Sequence, residues 1–230
     1  MDFDPERPPT VPRDAATVIL LRAGEGGETE VFLLRRHRGA SFMAQAFVFP
    51  GGARDGAEAL ERTATRELLE EANVRLDPGA LVLFSHWITP SAEKKRFSAR
   101  FFVAELPPGE TPRFDGQETV EQLWISPARA LERSGELFLP PPQLRTLHDI
   151  APVARDGPRA VIALARARLA YVRPIVPRFA LLGSGFALLA PWDPEYGTLG
   201  QGEGEPFPAD HPFAGGPSRF VPEGGGWRHL

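Results

Sequence analysis

The chain contains 230 residues and no cysteine, with 42% hydrophobic residues, 24% charged residues and a formal net charge of −4. This length can bury a full core, and the weak negative charge does not indicate a surface for nucleic acid, so we expect one soluble domain with extensions. The lack of cysteine excludes disulfides and thiolate zinc sites and is consistent with a cytoplasmic protein. Because no apolar run is long enough to span a bilayer, we expect no membrane partner.

The first fifty residues predict a leader followed by strands. Residues 1–13 are acidic and rich in proline, which indicates a flexible leader rather than a secretory signal or a transit peptide. Residues 16–21 and 31–34 are short apolar runs that predict a β-hairpin. Residues 47–49 predict a further short strand, which leads into a Gly-Gly pair.

An acidic helix is predicted to begin near residue 57 or 58 and to end at residue 73. At about 100° per residue, Glu71 lies about 40° and Glu70 about 60° on either side of Glu67, so the three carboxylates share one narrow face. Like charges at this spacing destabilise a helix. A hard divalent cation such as Mg²⁺ (or Mn²⁺) would offset the repulsion, since such ions prefer oxygen ligands. The common alternative for such a cluster is a solvated acidic face.

The spacing of residues around this helix is far more specific than the charge cluster. It resembles the Nudix box, a glycine followed at fixed intervals by glutamates, an arginine and apolar residues. The matching positions are Gly52, Glu58, Arg66, Glu67, Leu68, Glu70, Glu71 and Val74. Asn73 stands where the box has its last glycine, a mild departure because asparagine tolerates the left-handed conformation that ends a helix.

The resemblance implies a fold and a reaction. The fold would be α+β, a Nudix-type α/β/α sandwich with a mixed sheet, and the reaction would be hydrolysis of a nucleoside diphosphate linked to another moiety. Divalent ions assist such reactions because they bridge phosphate oxygens and acidify the attacking water. The implied metal ligands, of which Glu70 and Glu71 are also catalytic candidates, are Glu67, Glu70 and Glu71.

Other residues of the box have implied supporting roles. Gly51 and Gly52 would permit a tight turn that brings backbone groups to the substrate. Arg66, also a catalytic candidate, would orient a carboxylate, and Glu58 would stand at the helix start or contact the metal from outside. The general base would be a glutamate of the box or a carboxylate from a loop across the site.

Glu118 is our candidate for that carboxylate across the site. It lies six residues before Trp124, at the start of a strand predicted at residues 120–125, and in the Nudix family a glutamate in this place often completes the metal site. Glu121 is the rival residue, and a rim charge without function is the remaining alternative.

The remaining predicted elements extend the domain, residues 14–150, and add a C-terminal extension, residues 151–230, packed on it. The aromatic content of the last forty residues indicates a loop-rich tail that wraps over the domain or a neighbouring subunit. The predicted elements are strands at 81–88 and 97–106, helices at 127–133 (with Ser126 as N-cap) and 158–171, a short helix after the proline run of residues 139–151, and a hairpin at 175–189 that turns at 183–185.

Stretches outside the box resemble the Nudix hydrolases that cleave coenzyme A and its thioesters, in particular the peroxisomal type. These stretches are SFMAQAFVFPGG, HWITPSAEKKRFSARFF, LWISPARAL and ELFLPPPQL. The resemblance implies release of adenosine 3′,5′-bisphosphate and 4′-phosphopantetheine. Cationic side chains would suit the extra 3′-phosphate, although a solvated loop rich in arginine is the alternative. The substrate-binding candidates are Arg35, Arg36, Arg38, Lys94, Lys95 and Arg96.

Two other functions remain open at this stage. The same chemistry could act on ADP-ribose, NADH or another nucleotide, because the box recognises the diphosphate and says little about the rest. A non-catalytic module that senses a nucleotide is the second alternative, although such modules usually have a broken box and this one keeps its three glutamates. In each case the partner is a small-molecule nucleotide, and a homodimer is possible without a sequence feature that specifies the interface.

Overall fold

The computed structural model describes residues 4, 8–40, 43–183, 185–224 and 226–230. Parts of three predicted features therefore lie outside the described residues. These parts are residues 1–3 and 5–7 of the leader, residues 41–42 before the strand predicted at 47–49, and residue 184 in the turn at 183–185. The architecture is α+β, with a mixed sheet between helices and a second, antiparallel sheet from the C-terminal residues. None of the helices in the described part of the chain is long and apolar enough to cross a membrane.

Within the described residues the large sheet has eight strands, ordered β3-β2-β1-β6-β5-β8, with β4 paired to β1 and β7 paired to β2. The central pair, β1 and β6, runs parallel, and the predicted hairpin of β1 and β2 is antiparallel. The strands are β1 (Arg13–Ala23), β2 (Thr29–Arg36), β3 (Phe47–Val48), β4 (Gly51–Ala53), β5 (Val82–Ile88), β6 (Phe97–Glu105), β7 (Thr119–Ile125) and β8 (Pro174–Ile175).

Helices cover both faces of this sheet, which confirms the predicted α/β/α sandwich. Strand β1 is apolar on both faces, as expected for a strand buried on both sides. Its even-numbered residues, such as Val18, pack with α1, whereas Ile19 and Leu21 belong to the larger core with the other helices. The helices are α1 (Leu60–Ala72), α2 (Pro127–Glu132), α3 (Pro141–Ile150) and α4 (Pro158–Arg168).

The ends of two helices correct or confirm details of the prediction. Helix α1 begins at Leu60, two or three residues later than predicted. It ends as expected, because Asn73 adopts the left-handed conformation with φ 54° and donates its N–H to the carbonyls of the last turn. Helix α2 does begin after Ser126, but among the described contacts the Ser126 side chain makes no capping hydrogen bond.

The C-terminal extension forms a four-stranded antiparallel sheet in the order β12-β11-β10-β9. The hairpin of β9 (Arg178–Leu182) and β10 (Gly185–Leu189) was predicted, and β9 lies at a sheet edge, in line with Pro177 just before it. The hairpin of β11 (Arg219–Glu223) and β12 (Gly226–His229) was missed, since the prediction placed only turn and loop there. The tail aromatics Tyr196, Phe207, Phe213, Phe220 and Trp227 are all buried.

Candidate active site

The Gly-Gly pair is a strand rather than the predicted tight turn. Gly51 and Gly52 belong to β4 and pair with Thr17 and Ala16 of β1. A Cβ atom on Gly51 would lie 2.4 Å from the Ala16 carbonyl oxygen, and one on Gly52 would lie 2.4 Å from Cδ of Glu67. Glycine is needed here because the strand approaches a neighbouring backbone and a carboxylate closely, not because the chain reverses.

The Glu71 carboxylate is buried against this strand. Its side chain accepts the Gly51 N–H at 2.9 Å, and the residue is 5% exposed. Burial raises the pKa of Glu71 to about 8, and repulsion from Glu67 and Glu118 acts in the same direction, against the Gly51 hydrogen bond and the charge of Arg36. Three carboxylates therefore act on one another at the point where α1 faces β4.

Arg66 contacts the carboxylates of α1, and its orienting role stays a prediction. Its Nη1 donates to Glu67 Oε1 at 2.7 Å and to Glu70 Oε2 at 3.0 Å. Its Nη2 donates to Glu58 Oε1 at 3.1 Å and to the Ala53 carbonyl at 3.1 Å, which ties the helix to β4. The hydrogen bond from Arg66 lowers the pKa of Glu58.

Glu58 stands at the start of the helix, one of the two roles predicted for it. Its Oε1 accepts the Asp55 N–H at 3.2 Å and the Thr63 hydroxyl at 3.0 Å. Together with Arg66 it forms the outer support of the acidic cluster.

Glu118 reaches the same cluster from the opposite side. It immediately precedes β7, its carbonyl accepts the His37 N–H at 2.8 Å, and its N–H donates to Asp115 Oδ2 at 2.8 Å. Its charge raises the pKa of both Glu67, where burial is the main cause, and Glu71. Glu121, the rival residue, instead pairs with Arg35 at 3.2 Å on an exposed part of β7.

The donor set of this cluster fits a hard divalent cation. Among the described residues no three acidic or histidine side chains converge as a preassembled metal cage, and Arg66 pairs with Glu67 and Glu70. Even so, Glu67, Glu71 and Glu118 supply only carboxylate oxygens, and burial together with the charges of acidic neighbours raises the pKa of Glu67 and Glu71, which disfavours the charged forms of these two groups without a cation. Oxygen donors of this kind suit Mg²⁺ or Mn²⁺.

A cavity of about 460 Å³ extends from the acidic cluster along the sheet. This volume lies within the range of about 300–1,000 Å³ that is usual for small-molecule sites. Its acidic end includes Gly51, Gly52, Asp55, Glu67, Glu70 and Glu118. Its remaining wall is mainly apolar and includes Met43, Val48, Phe49, Trp87, Phe97, Phe101, Pro140, Pro141, Pro142, Pro177 and Leu188.

In the structure, only some of the cations predicted to bind substrate line the cavity. Arg36 and Lys95 line the cavity. Arg35 donates instead to Glu121 and to Gln45, the latter at 2.7 Å. The side chains of Arg38 and Lys94 belong to exposed residues outside the cavity lining.

Arg96 requires a correction, because its side chain is buried within the protein. The guanidinium is 1% exposed and donates to the Thr89 carbonyl, the Thr10 carbonyl and the Glu203 carboxylate at 3.0, 2.7 and 2.7 Å. With these donors engaged by protein acceptors, Arg96 is placed to support the cavity from behind rather than to contact a substrate.

Sequence reasoning missed several residues of the cavity wall. Arg13 adds a cation, and with Ala15 and Thr17 it forms an alternating row on β1 that faces the cavity. Phe97, Ala99 and Phe101 form the matching row on β6. The alternation of β6 was visible in the sequence, but which face it would present was not.

Comparison with known proteins places these features in context. A family model described as NUDIX domain matches residues 11–145, more than half of the chain. A NUDIX hydrolase from Alicyclobacillus acidocaldarius is 25% identical, with a TM-score of 0.59, over 68% of this chain and 96% of that one.

Two further solved structures are less similar. A MutT NUDIX hydrolase from Burkholderia pseudomallei is 24% identical over 52% of this chain and 86% of that one, with a TM-score of 0.44. The NUDIX domain of Shewanella oneidensis NrtR, complexed with ADP ribose, is 16% identical over 60% and 86%, with a TM-score of 0.49. No curated protein sequence matches the chain.

Proposed function

The chain belongs to the Nudix family, as a pyrophosphohydrolase acting on nucleoside diphosphate derivatives, and we propose that its favoured substrate is coenzyme A or an acyl-coenzyme A. Hydrolysis would yield adenosine 3′,5′-bisphosphate and 4′-phosphopantetheine or its acyl derivative. The proposal includes a divalent metal, Mg²⁺ or Mn²⁺, as the cofactor.

The observation that carries the substrate assignment is the lining of the cavity. One end presents the carboxylate cluster and β4, and the rest presents an apolar wall with Trp87 and Leu188. A diphosphate at the acidic end would leave the pantetheine arm of coenzyme A to contact that wall through its methylene and methyl groups. Arg13, Arg36 and Lys95 are the cations that line the cavity, and a further phosphate would lie near this positive charge.

The residues proposed to hold the metal are Glu67, Glu70, Glu71 and Glu118. When bound, it would offset the charge of the diphosphate and acidify a water molecule. Helix α1 provides three of these ligands from one face, and the fourth comes from the residue before β7.

Groups of the protein itself orient the carboxylates and accept the proton. Arg66 holds Glu67 and Glu70 in position, and the Gly51 N–H holds Glu71. We assign Glu118 as the general base: its carboxylate takes a proton from the water whose oxygen bonds to phosphorus, while the anhydride P–O bond breaks and its electrons leave with the departing phosphate. Arg36 is placed to neutralise part of that charge.

The decisive experiment is chromatographic product analysis with coenzyme A and ADP-ribose, each with and without Mg²⁺ or Mn²⁺. Glu71→Gln tests the cluster, and Glu121→Gln, an isosteric change on β7 outside it, is the matched control. We expect metal-dependent adenosine 3′,5′-bisphosphate from wild type and from the control only. Turnover of ADP-ribose alone would contradict the coenzyme A assignment, and binding without any turnover would indicate a sensing module.

A second substrate class has one observation in its favour. Trp87 and Phe97 place two aromatic side chains in the cavity wall, and such rings can stack against a base. Under this alternative the substrate is NADH, ADP-ribose or another nucleotide, and NADH belongs in the same assay for that reason.

A further inference from the structure

The segment that connects β5 to β6, residues 89–96, forms one rim of the cavity and is called the cavity loop below. Thr89, Pro90, Glu93 and Lys95 line the cavity from this loop. A loop of this kind is ordered only where other parts of the chain hold its backbone.

Arg96 holds the cavity loop to two distant parts of the chain. Its Nε donates to the Thr89 carbonyl at the start of the loop, and its Nη1 donates to the Thr10 carbonyl of the leader. Its Nη2 pairs with Glu203 of the C-terminal tail at 2.7 Å. The planar guanidinium fixes the three directions, which a lysine ammonium could not reproduce.

The leader contributes two further contacts to the same loop. The Asp4 N–H donates to the Ala92 carbonyl at 2.9 Å, and the Thr10 hydroxyl donates to the Lys94 carbonyl at 3.2 Å. The loop backbone is therefore fixed from the N-terminal side at several points.

The C-terminal tail contacts the cavity loop and is itself hydrogen-bonded to the C-terminal sheet. Gly202 has φ +117° and packs so closely on the loop that a Cβ atom would lie 2.4 Å from Ser91 Oγ. The preceding residue, Gln201, exchanges backbone hydrogen bonds of 2.7 and 3.1 Å with Phe179 of β9. The contact between tail and loop is thus attached to the C-terminal sheet.

The C-terminal sheet and the residue just before its first strand also line the cavity directly. Pro177 and Leu188 line it, although both lie beyond residue 145, where the match to the family model ends. The extension therefore supplies part of the cavity wall and one of the supports of the cavity loop.

We infer that Arg96 is a positioning residue for substrate binding, and that the C-terminal extension sets the shape of the cavity loop through the ion pair of Arg96 with Glu203. This inference rests on the proposed function for its kinetic consequence. Its structural consequence, the order of the loop, is independent of the substrate.

The test replaces Glu203 with glutamine, because Glu203 is about half exposed and we expect its replacement to disturb the fold less than loss of the buried Arg96. Glu205→Gln makes the same change of charge two residues further along the tail, at an exposed position, and is the matched control. Hydrogen exchange of peptides covering the cavity loop is measured with kcat and KM for coenzyme A.

In Glu203→Gln we expect faster exchange in the cavity loop and a KM raised by about three- to ten-fold, since a charge-assisted bond is lost at a half-exposed site. The kcat should stay within about two-fold of wild type, because the acidic cluster is untouched. Glu205→Gln should behave as wild type. Unchanged exchange and KM in Glu203→Gln would overturn the inference.

Arg96→Lys provides a second, stronger variant that keeps the charge. It should increase loop exchange more than Glu203→Gln, and a loop as protected as in wild type would contradict the positioning role. Wild-type protein that hydrolyses none of the nucleotides would overturn the proposed function instead, while loop exchange would still decide the role of Arg96.

Discussion

The two ends of the cavity are built in different ways. The acidic end comes mainly from residues close in sequence, because β4 and α1 lie within residues 51–72 and interact directly, and Glu118 joins them from the residue before β7. The far end is assembled from β1, β5, β6, the start of α3 and the C-terminal extension, which are separated by up to 175 residues between Arg13 and Leu188. Local spacing can therefore specify the chemistry, whereas long-range packing specifies what the chemistry acts on.

The substitution with the largest expected effect tests whether the far end of the cavity depends on the C-terminal tail. Phe220 of β11 is fully buried and its ring lies 6.4 Å from that of Trp87, edge to face, behind the cavity wall. We expect Phe220→Ala to lower the free energy of unfolding by about 3–5 kcal/mol. Urea denaturation would measure this loss.

The matched control for Phe220 is Leu230→Ala, which truncates an apolar side chain that is 53% exposed at the end of the same tail. Its effect should stay within about 0.5 kcal/mol. A loss below about 1 kcal/mol in Phe220→Ala would show that the β11–β12 hairpin covers the domain without stabilising it.

The acidic end is tested by adding one methyl group. Gly52→Ala would place a Cβ atom 2.4 Å from Glu67 Cδ, and the flexible carboxylate would have to move. Displacement of a reacting group by about 1 Å can reduce the rate about 100-fold, so we expect that loss in kcat/KM with little change in stability. Gly135→Ala, where a Cβ atom meets open space, is the control.

Gly51→Ala tests the same strand, but its added Cβ atom lies closest to backbone rather than to a side chain. Its Cβ atom would meet the Ala16 carbonyl of the central strand at 2.4 Å, and backbone cannot move aside as a side chain can. Thermal unfolding should therefore show a lower melting temperature for Gly51→Ala than for Gly52→Ala. Equal stability of the two variants would contradict the structure of β4.

The difference between the two ends of the cavity also explains which features could be predicted from the sequence. The clustering of Glu67, Glu70 and Glu71 follows from helix geometry alone, and so does the role of Arg66 one turn before Glu70. Strand β4 was missed because two adjacent glycines have low strand propensity, and only its pairing with β1 reveals it.

The failures at the far end also have a physical cause. Arg96 stands in a basic run that is typical of an anion-binding surface, but its partners Thr10 and Glu203 lie 86 and 107 residues away. The hairpin of β11 and β12 was missed because Pro222 and a run of glycines argue against strands unless tertiary contacts support them.

A smaller effect is expected where Arg66 supports the cluster. Arg66→Lys keeps the charge but loses the fork that reaches Glu58, Glu67 and Glu70 together. Loss of such an outer support typically costs about 10–100-fold, and we expect about 10-fold in kcat/KM because the charge remains. Steady-state kinetics would measure it, with the exposed Arg62→Lys as control on the same helix. Activity equal to wild type would exclude an orienting role for Arg66.

The smallest expected effect concerns the far end at acidic pH. His86 lies on β5 next to Trp87, and its Nε2 lies 2.7 Å from Nη1 of Arg100 and 3.0 Å from Ser98 Oγ. Burial lowers the pKa of His86 to about 4, the charge of Arg100 acts in the same direction, and Asp14 opposes both. The folded protein therefore binds fewer protons than the unfolded chain between about pH 4 and the ordinary histidine pKa of about 6.5.

The sign of the pH dependence follows from that difference. The contribution of neutral His86 is complete above about pH 6.5 and is lost as the pH falls toward 4, by about 1 kcal/mol once partial solvent access is allowed for. Urea unfolding at several pH values should show a shallower slope in this window for His86→Gln than for wild type. His37→Gln, a change at an exposed histidine near the acidic end, should keep the wild-type slope. Equal slopes in wild type and His86→Gln would mean that β5, behind the cavity wall, accommodates a charged imidazole, and burial at the far end would then not control the charge of this histidine.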